Sequence, residues 1–135
     1  MKKIKDTLII FGIILIPVCL TKCSTKDYHW NGGLLNRFGE YHLIKNGYVL
    51  KVSNNDGLLN YVLEDTNQNI ILKSEENISV YQRWLMFWDD KNNLWIYSSD
   101  IGTFCWEPLA KGKYKELSVE RGSDLEKLMP SAFKR

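Results

Sequence analysis

Residues 81–106, YQRWLMFWDDKNNLWIYSSDIGTFCW, carry four of the five tryptophans of this 135-residue sequence and read as three strands separated by two turns. Trp84, Leu85, Met86, Phe87 and Trp88 form one apolar run. Leu94, Trp95, Ile96 and Tyr97 form the next, and Thr103, Phe104, Cys105 and Trp106 the third. Short aromatic and branched runs bounded by Asp, Asn, Ser and Gly are strands and turns. A helix needs a longer periodic segment than any of these runs provides. Neighbours along a strand face opposite sides, so Trp84, Met86 and Trp88 share one face and Leu85 and Phe87 the other. Leu94 and Ile96 likewise oppose Trp95 and Tyr97. Both faces are apolar, so these strands are either covered on both sides or display an aromatic patch to a partner. Coverage on both sides is the expected arrangement, because aromatics dominate the core of a small domain.

Outward from this stretch the same grammar continues. Tyr41, His42, Leu43 and Ile44 precede Lys45-Asn46-Gly47, and Tyr48 to Val52 follow, a hairpin in which Asn-Gly suits the positive φ of a type I′ turn. Residues 59–63 and 70–73 are further strands. Residues 62–76 (VLEDTNQNIILKSEE) match residues 86–100 (MFWDDKNNLWIYSSD) at an offset of 24, pairing Asn69 with Asn93 and Leu72 with Ile96. Repeated hairpins of this size make a meander, and roughly 100 residues are too few to close a propeller. Residues 111–119 read as a last strand whose lysines protect an exposed edge. Ser123 and Glu126 then form a capping box for a short helix with Leu125, Leu128 and Met129 on one face, closed by Pro130.

The expected fold is mainly β, an antiparallel meander shaped as a twisted sheet, small barrel or sandwich, with one short C-terminal helix. Residues 1–23 read as a signal peptide or membrane anchor, 24–33 as a polar tether ending in Gly32-Gly33, and 34–135 as a single β-rich domain. The leader has Lys2, Lys3 and Lys5 ahead of a 13-residue apolar run, residues 8–20. A bilayer-spanning helix takes about 20 apolar residues, whereas 13 suits a secretory h-region. Three fates follow: cleavage before Lys22, lipidation at Cys23 within the imperfect lipobox Leu20-Thr21-Lys22-Cys23, or retention as a short anchor. Each places the protein at a bacterial cell envelope, in the periplasm or on the membrane. An unlipidated Cys23 has Cys105 as a disulfide partner; otherwise Cys105 is a buried thiol between Phe104 and Trp106.

The net charge of +2 divides into +3 over residues 1–23 and −1 over the remainder, so the folded part has no basic face for nucleic acid. Its only histidines are His29 and His42, both expected as isolated surface residues, and no nucleophile, zinc or P-loop signature accompanies them. Asp65, Asn67, Asn69 and Glu76 fall at positions 1, 3, 5 and 12 of a calcium loop, but Ile70 replaces the glycine that makes its sharp bend. A turn is the expected reading there, with no metal or cofactor. The expected function is therefore contact rather than catalysis: a binding or accessory domain for a protein partner, of the immunity or inhibitor kind, with Trp84, Trp95, Tyr97 and Trp106 as candidate contacts. A glycan-binding module is the second reading and requires exposed, coplanar tryptophans. A small hydrolase built on His42 and a nearby carboxylate is the remote third.

Overall fold

The computed structural model describes residues 25–134. The leader with Cys23, and with it the choice between cleavage, lipidation and anchoring, lies outside the described residues. Among the described residues no helix is long and apolar enough to cross a membrane.

The fold is mainly β, with 48% of the described residues in strands. Ten strands form two five-stranded sheets: β1 (Asp27–Trp30), β3 (Gly39–Leu43), β4 (Val49–Asn55), β5 (Leu58–Glu64) and β6 (Ile70–Lys73) in the first. The second holds β2 (Gly33–Leu35), β7 (Trp84–Trp88), β8 (Leu94–Ser98), β9 (Gly102–Pro108) and β10 (Tyr114–Ser118). We call them sheets A and B. Each is a four-stranded antiparallel meander, β3 to β6 or β7 to β10, with one N-terminal strand added at its edge. The expected class is thus observed, in its sandwich form.

Residues 24–33, expected as a tether, depart from that reading. Asp27–Trp30 pairs in parallel with β3, and the chain then crosses at Asn31 and Gly32 so that Gly33–Leu35 pairs with β7 of the opposite sheet. An edge strand keeps one side open to water, so its polar composition mimics a linker. Gly39 permits the docking of β1: a side chain there would stand 2.7 Å from the Tyr28 ring and 2.8 Å from the Lys26 carbonyl oxygen. That carbonyl accepts the Glu40 amide at 2.9 Å, and Tyr28 stacks on Tyr41 with ring centroids 5.0 Å apart.

The sheets pack face to face around one large core. Tyr41, Leu43, Leu50, Val52, Leu59, Tyr61, Leu63 and Leu72 come from sheet A, and Leu35, Trp84, Met86, Trp88, Leu94, Ile96 and Trp106 from sheet B. These are the alternate positions that a period of two selects. The opposite face of sheet B carries Leu85, Trp95 and Cys105, which bury against Phe133 with Val119, Leu125 and Met129 beside it. That second cluster is a lid made by the C-terminal segment. It contains α1 (Asp124–Lys127), the one α-helix among the described residues, and a 3-10 turn, Ser131–Phe133. Ser123 caps α1 as expected, its hydroxyl accepting the Glu126 amide at 3.2 Å. The returning carboxylate reaches one residue further back than a capping box would, accepting the Gly122 amide at 2.6 Å.

Two turns differ in detail from their expected form or explain it. The β3–β4 connection is longer than a type I′ turn: the Gly47 amide donates to Leu43 and only Gly47, not Asn46, has positive φ, at 73°. The Asn46 side chain instead accepts the Tyr48 amide at 2.9 Å. The 24-residue offset proves to be a repeated turn. Asp65 Oδ1 accepts the amides of Asn67 and Asn69, and Asp89 Oδ1 accepts those of Lys91 and Asn93, each at 2.8–2.9 Å. Gln68 and Asn92 take positive φ at matching positions.

Candidate functional site

The aromatic side chains expected to make contacts are mostly consumed by folding. Trp84, Trp95 and Trp106 are buried, as are Trp30 and Trp88, none more than 8% exposed. An alternating strand between two covered faces has no outward position left for a tryptophan. The Trp95 indole donates to Asp89 Oδ2 at 2.8 Å and the Trp106 indole to the Tyr61 hydroxyl at 2.9 Å, so even their polar edges are spoken for. No pair of tryptophans offers the open coplanar surface a glycan site needs. Tyr97 differs. It is half-buried on the outer face of sheet B, with the Arg83 guanidinium 5.9 Å from its ring centre. It lines a hollow of about 550 Å³ with Glu126, Met129, Phe133 and Lys134.

Cys105 is a free buried thiol in the second cluster. Burial, helped by the carboxylates of Asp89 and Glu107, pushes it up to about 12, so it is neither a nucleophile nor a ready thiolate. The Asp65 carboxylate is spent within its own turn, where bonds from Asn69 and Asn67 hold it below the ordinary range. Glu76, the twelfth position of the calcium-loop pattern, instead accepts the Tyr61 hydroxyl at 2.8 Å. The turn reading is the one observed.

Three groupings remain. The first corrects the expectation that His42 stands alone. Parallel pairing of β1 with β3 sets Asp27 beside Glu40 and His29 beside His42 on the outer face of sheet A. One donor atom from each of Asp27, Glu40 and His42 lies within 4.8 Å of the others. Asp27 Oδ1 is 3.9 Å from His42 Nε2, and the two imidazole rings are 6.1 Å apart. On the neighbouring strand Lys51 is engaged by Glu64 at 2.9 Å. Sequence reasoning missed this group because His29 and Asp27 fell in the supposed tether; the i, i+2 spacing shared by Asp27/His29 and Glu40/His42 was the available signal.

The second grouping lies between the edges β6 and β10. Tyr61 donates to Glu76, and Glu116 faces Glu76 across the gap. Desolvation first, then the hydrogen bond and charge of Glu76, push Glu116 up to about 8, so its carboxyl keeps a proton at neutral pH. That proton is available to bridge Glu76 Oε1 and Glu116 Oε2, two of the three buried side-chain oxygens among the described residues that have no other hydrogen-bond partner. Burial and the adjacent Glu76 likewise hold the Tyr61 hydroxyl far above the ordinary phenol value.

The third is an end of the sandwich where three connections meet. The Leu59 amide donates to Ile78, the Ser79 amide to Asp100, and the Ser99 amide to Arg83. Four of the nine exposed large apolar side chains among the described residues are here: Leu58, Tyr81, Ile101 and Phe38, the last stacked on Trp84 with ring centroids 5.5 Å apart. Tyr81 is 83% exposed, with its ring over Gly57. Compared with known proteins, the chain matches no family model, no curated protein and no solved structure.

Proposed function

We propose that this chain is a small exported or membrane-tethered protein that works by contact, a non-enzymatic binding or accessory domain for a protein partner at the cell envelope, of the inhibitor or immunity kind. The observation that carries the reading is the shared exposure of Phe38, Leu58, Tyr81 and Ile101 at one end of a sandwich that buries all its tryptophans. Large apolar side chains held in the open by hydrogen-bonded loops lose little freedom on association, and tyrosine is enriched where such surfaces bind. The hollow beside Tyr97, lined also by Glu126, Met129, Phe133 and Lys134, opens on the outer face of sheet B and would accept a partner side chain. The basic and apolar leader supports delivery to the envelope.

A photo-crosslinking residue at position 81, compared with one at position 62 on the open face of sheet A, tests the surface in the native host. A discrete adduct from position 81 that disappears with Ile101→Asp supports the reading. Equal adducts from both positions, or none from 81, argue against it. The intact mass of the protein from the membrane fraction separates the cleaved, acylated and full-length forms.

A further inference from the structure

We propose that Asp27, His29, Glu40 and His42 are the ligands of a divalent transition-metal site, with zinc as the ion, and that the metal fastens the N-terminal strand β1 to β3. Register is the starting point. Asp27 pairs with Glu40 and His29 with His42, so two carboxylates and two imidazoles occupy four adjacent positions on one face of two paired strands. Zinc prefers this kind of donor set, nitrogen and oxygen atoms in a four-coordinate shell. Calcium takes 6–8 oxygens and has no use for imidazole, so the chemistry separates the two ions.

Distance agrees with register. Bonds of about 2.0–2.1 Å in a tetrahedron set ligand atoms roughly 3.4 Å apart. The donor atoms of Asp27, Glu40 and His42 already lie within 4.8 Å of one another, and Asp27 Oδ1 stands 3.9 Å from His42 Nε2. That gap is too wide for a hydrogen bond and closes by small rotations of side chains that are exposed or half-buried. His29 lies outside that 4.8 Å group; its exposed ring, 6.1 Å from that of His42, has to swing inward to supply the fourth ligand.

Charge agrees as well. Two carboxylates match a divalent ion, and Lys51, the cation paired opposite Glu40 on β4, is bonded to Glu64 at 2.9 Å. The mechanical consequence follows from topology. β1 has four residues and a single neighbour in its sheet, and it is the strand that leads from the leader into the domain. An ion ligated from alternate positions of both strands cross-links that edge.

The test uses the full chain without an affinity tag, in detergent, titrated with zinc against a chromophoric chelator. One zinc per chain is expected. His42→Ala and Glu40→Gln should each weaken it by more than the roughly 10–100-fold that loss of an outer-shell partner costs. Zinc should also slow hydrogen exchange at the amides of residues 28–30 in the unsubstituted chain, and circular dichroism checks that the variants remain folded. Zinc bound as tightly by folded His42→Ala and Glu40→Gln would place the ion elsewhere and overturn the proposal. So would calcium binding as well as zinc, or zinc binding that leaves exchange in β1 unchanged.

Discussion

Sheets A and B hold five strands each and contribute inner faces of similar character, yet their outer faces have opposite fates. On sheet A the outward positions are Glu40, His42, Val49, Lys51, Val62 and Glu64, which water and the Lys51–Glu64 ion pair satisfy. On sheet B they are Leu85, Phe87, Trp95, Tyr97 and Cys105, and the C-terminal segment folds back over them. A sheet with one apolar face needs one partner; a sheet with two needs a second. The lid is slight, a four-residue helix without a buried side chain and a 3-10 turn that contributes Phe133. Small lids suffice where a strand needs only a few side chains shielded. They also leave room, which is where the hollow beside Tyr97 comes from.

The comparison breaks most easily at Phe133. Phe133→Ala should cost about 3 kcal/mol in urea unfolding, the low end for a buried phenylalanine, because the rim of the lid can partly collapse. Its counterpart on the open sheet, Ile70→Thr, should stay within about 0.5 kcal/mol. Opening the lid has a chemical readout as well: Cys105 should resist alkylation in the unsubstituted protein and react faster in Phe133→Ala. Equal losses at both positions would mean that the lid contributes nothing special.

The repeated turns sharpen the contrast next. Asp65 and Asp89 make the same backbone bonds, but only Asp89 also accepts the indole of buried Trp95. Asp89→Ala leaves that donor unpaired inside sheet B and should cost about 2–3 kcal/mol, against about 1 kcal/mol for Asp65→Ala. Chemical denaturation of the two variants measures the difference.

A smaller effect tests the seam where the two sheets meet at β6 and β10. Glu116 is raised from 4.5 to about 8, so its contribution is fully present below pH 4.5 and is lost as pH rises through 8. Stability should therefore decline between about pH 5 and 9, and Glu116→Gln should flatten that decline. Asp65 and Asp100 act with the opposite sign, because hydrogen bonds lower both; their contribution disappears as pH falls below the ordinary aspartate value. Thermal unfolding across the range reads both limbs.

Local chemistry explains what was legible. The alternation at Trp84 to Trp88, the strand at Ile70–Lys73 and the Ser123 cap each depend on neighbours within a few residues. The candidate site was less legible for the complementary reason. Burial of Trp84, Trp95 and Trp106 removed the expected contacts, while Tyr81 and Ile101, unremarkable in composition, are displayed by hydrogen bonds between distant loops. The Asp27–His42 neighbourhood was hidden by one parallel pairing.

By itself, then, the sequence determined strands β3 to β10, the two apolar faces of sheet B, the twin aspartate turns and the helix cap, since periodicity and side-chain-to-backbone bonds act at short range. Tertiary structure alone decided that residues 27–30 and 33–35 join opposite sheets, that the chain's end covers Trp95 and Cys105, and which side chains gather around His42. Those outcomes rest on pairing and packing between segments far apart in the chain, and a pattern of period two is the same whichever partner a strand finds.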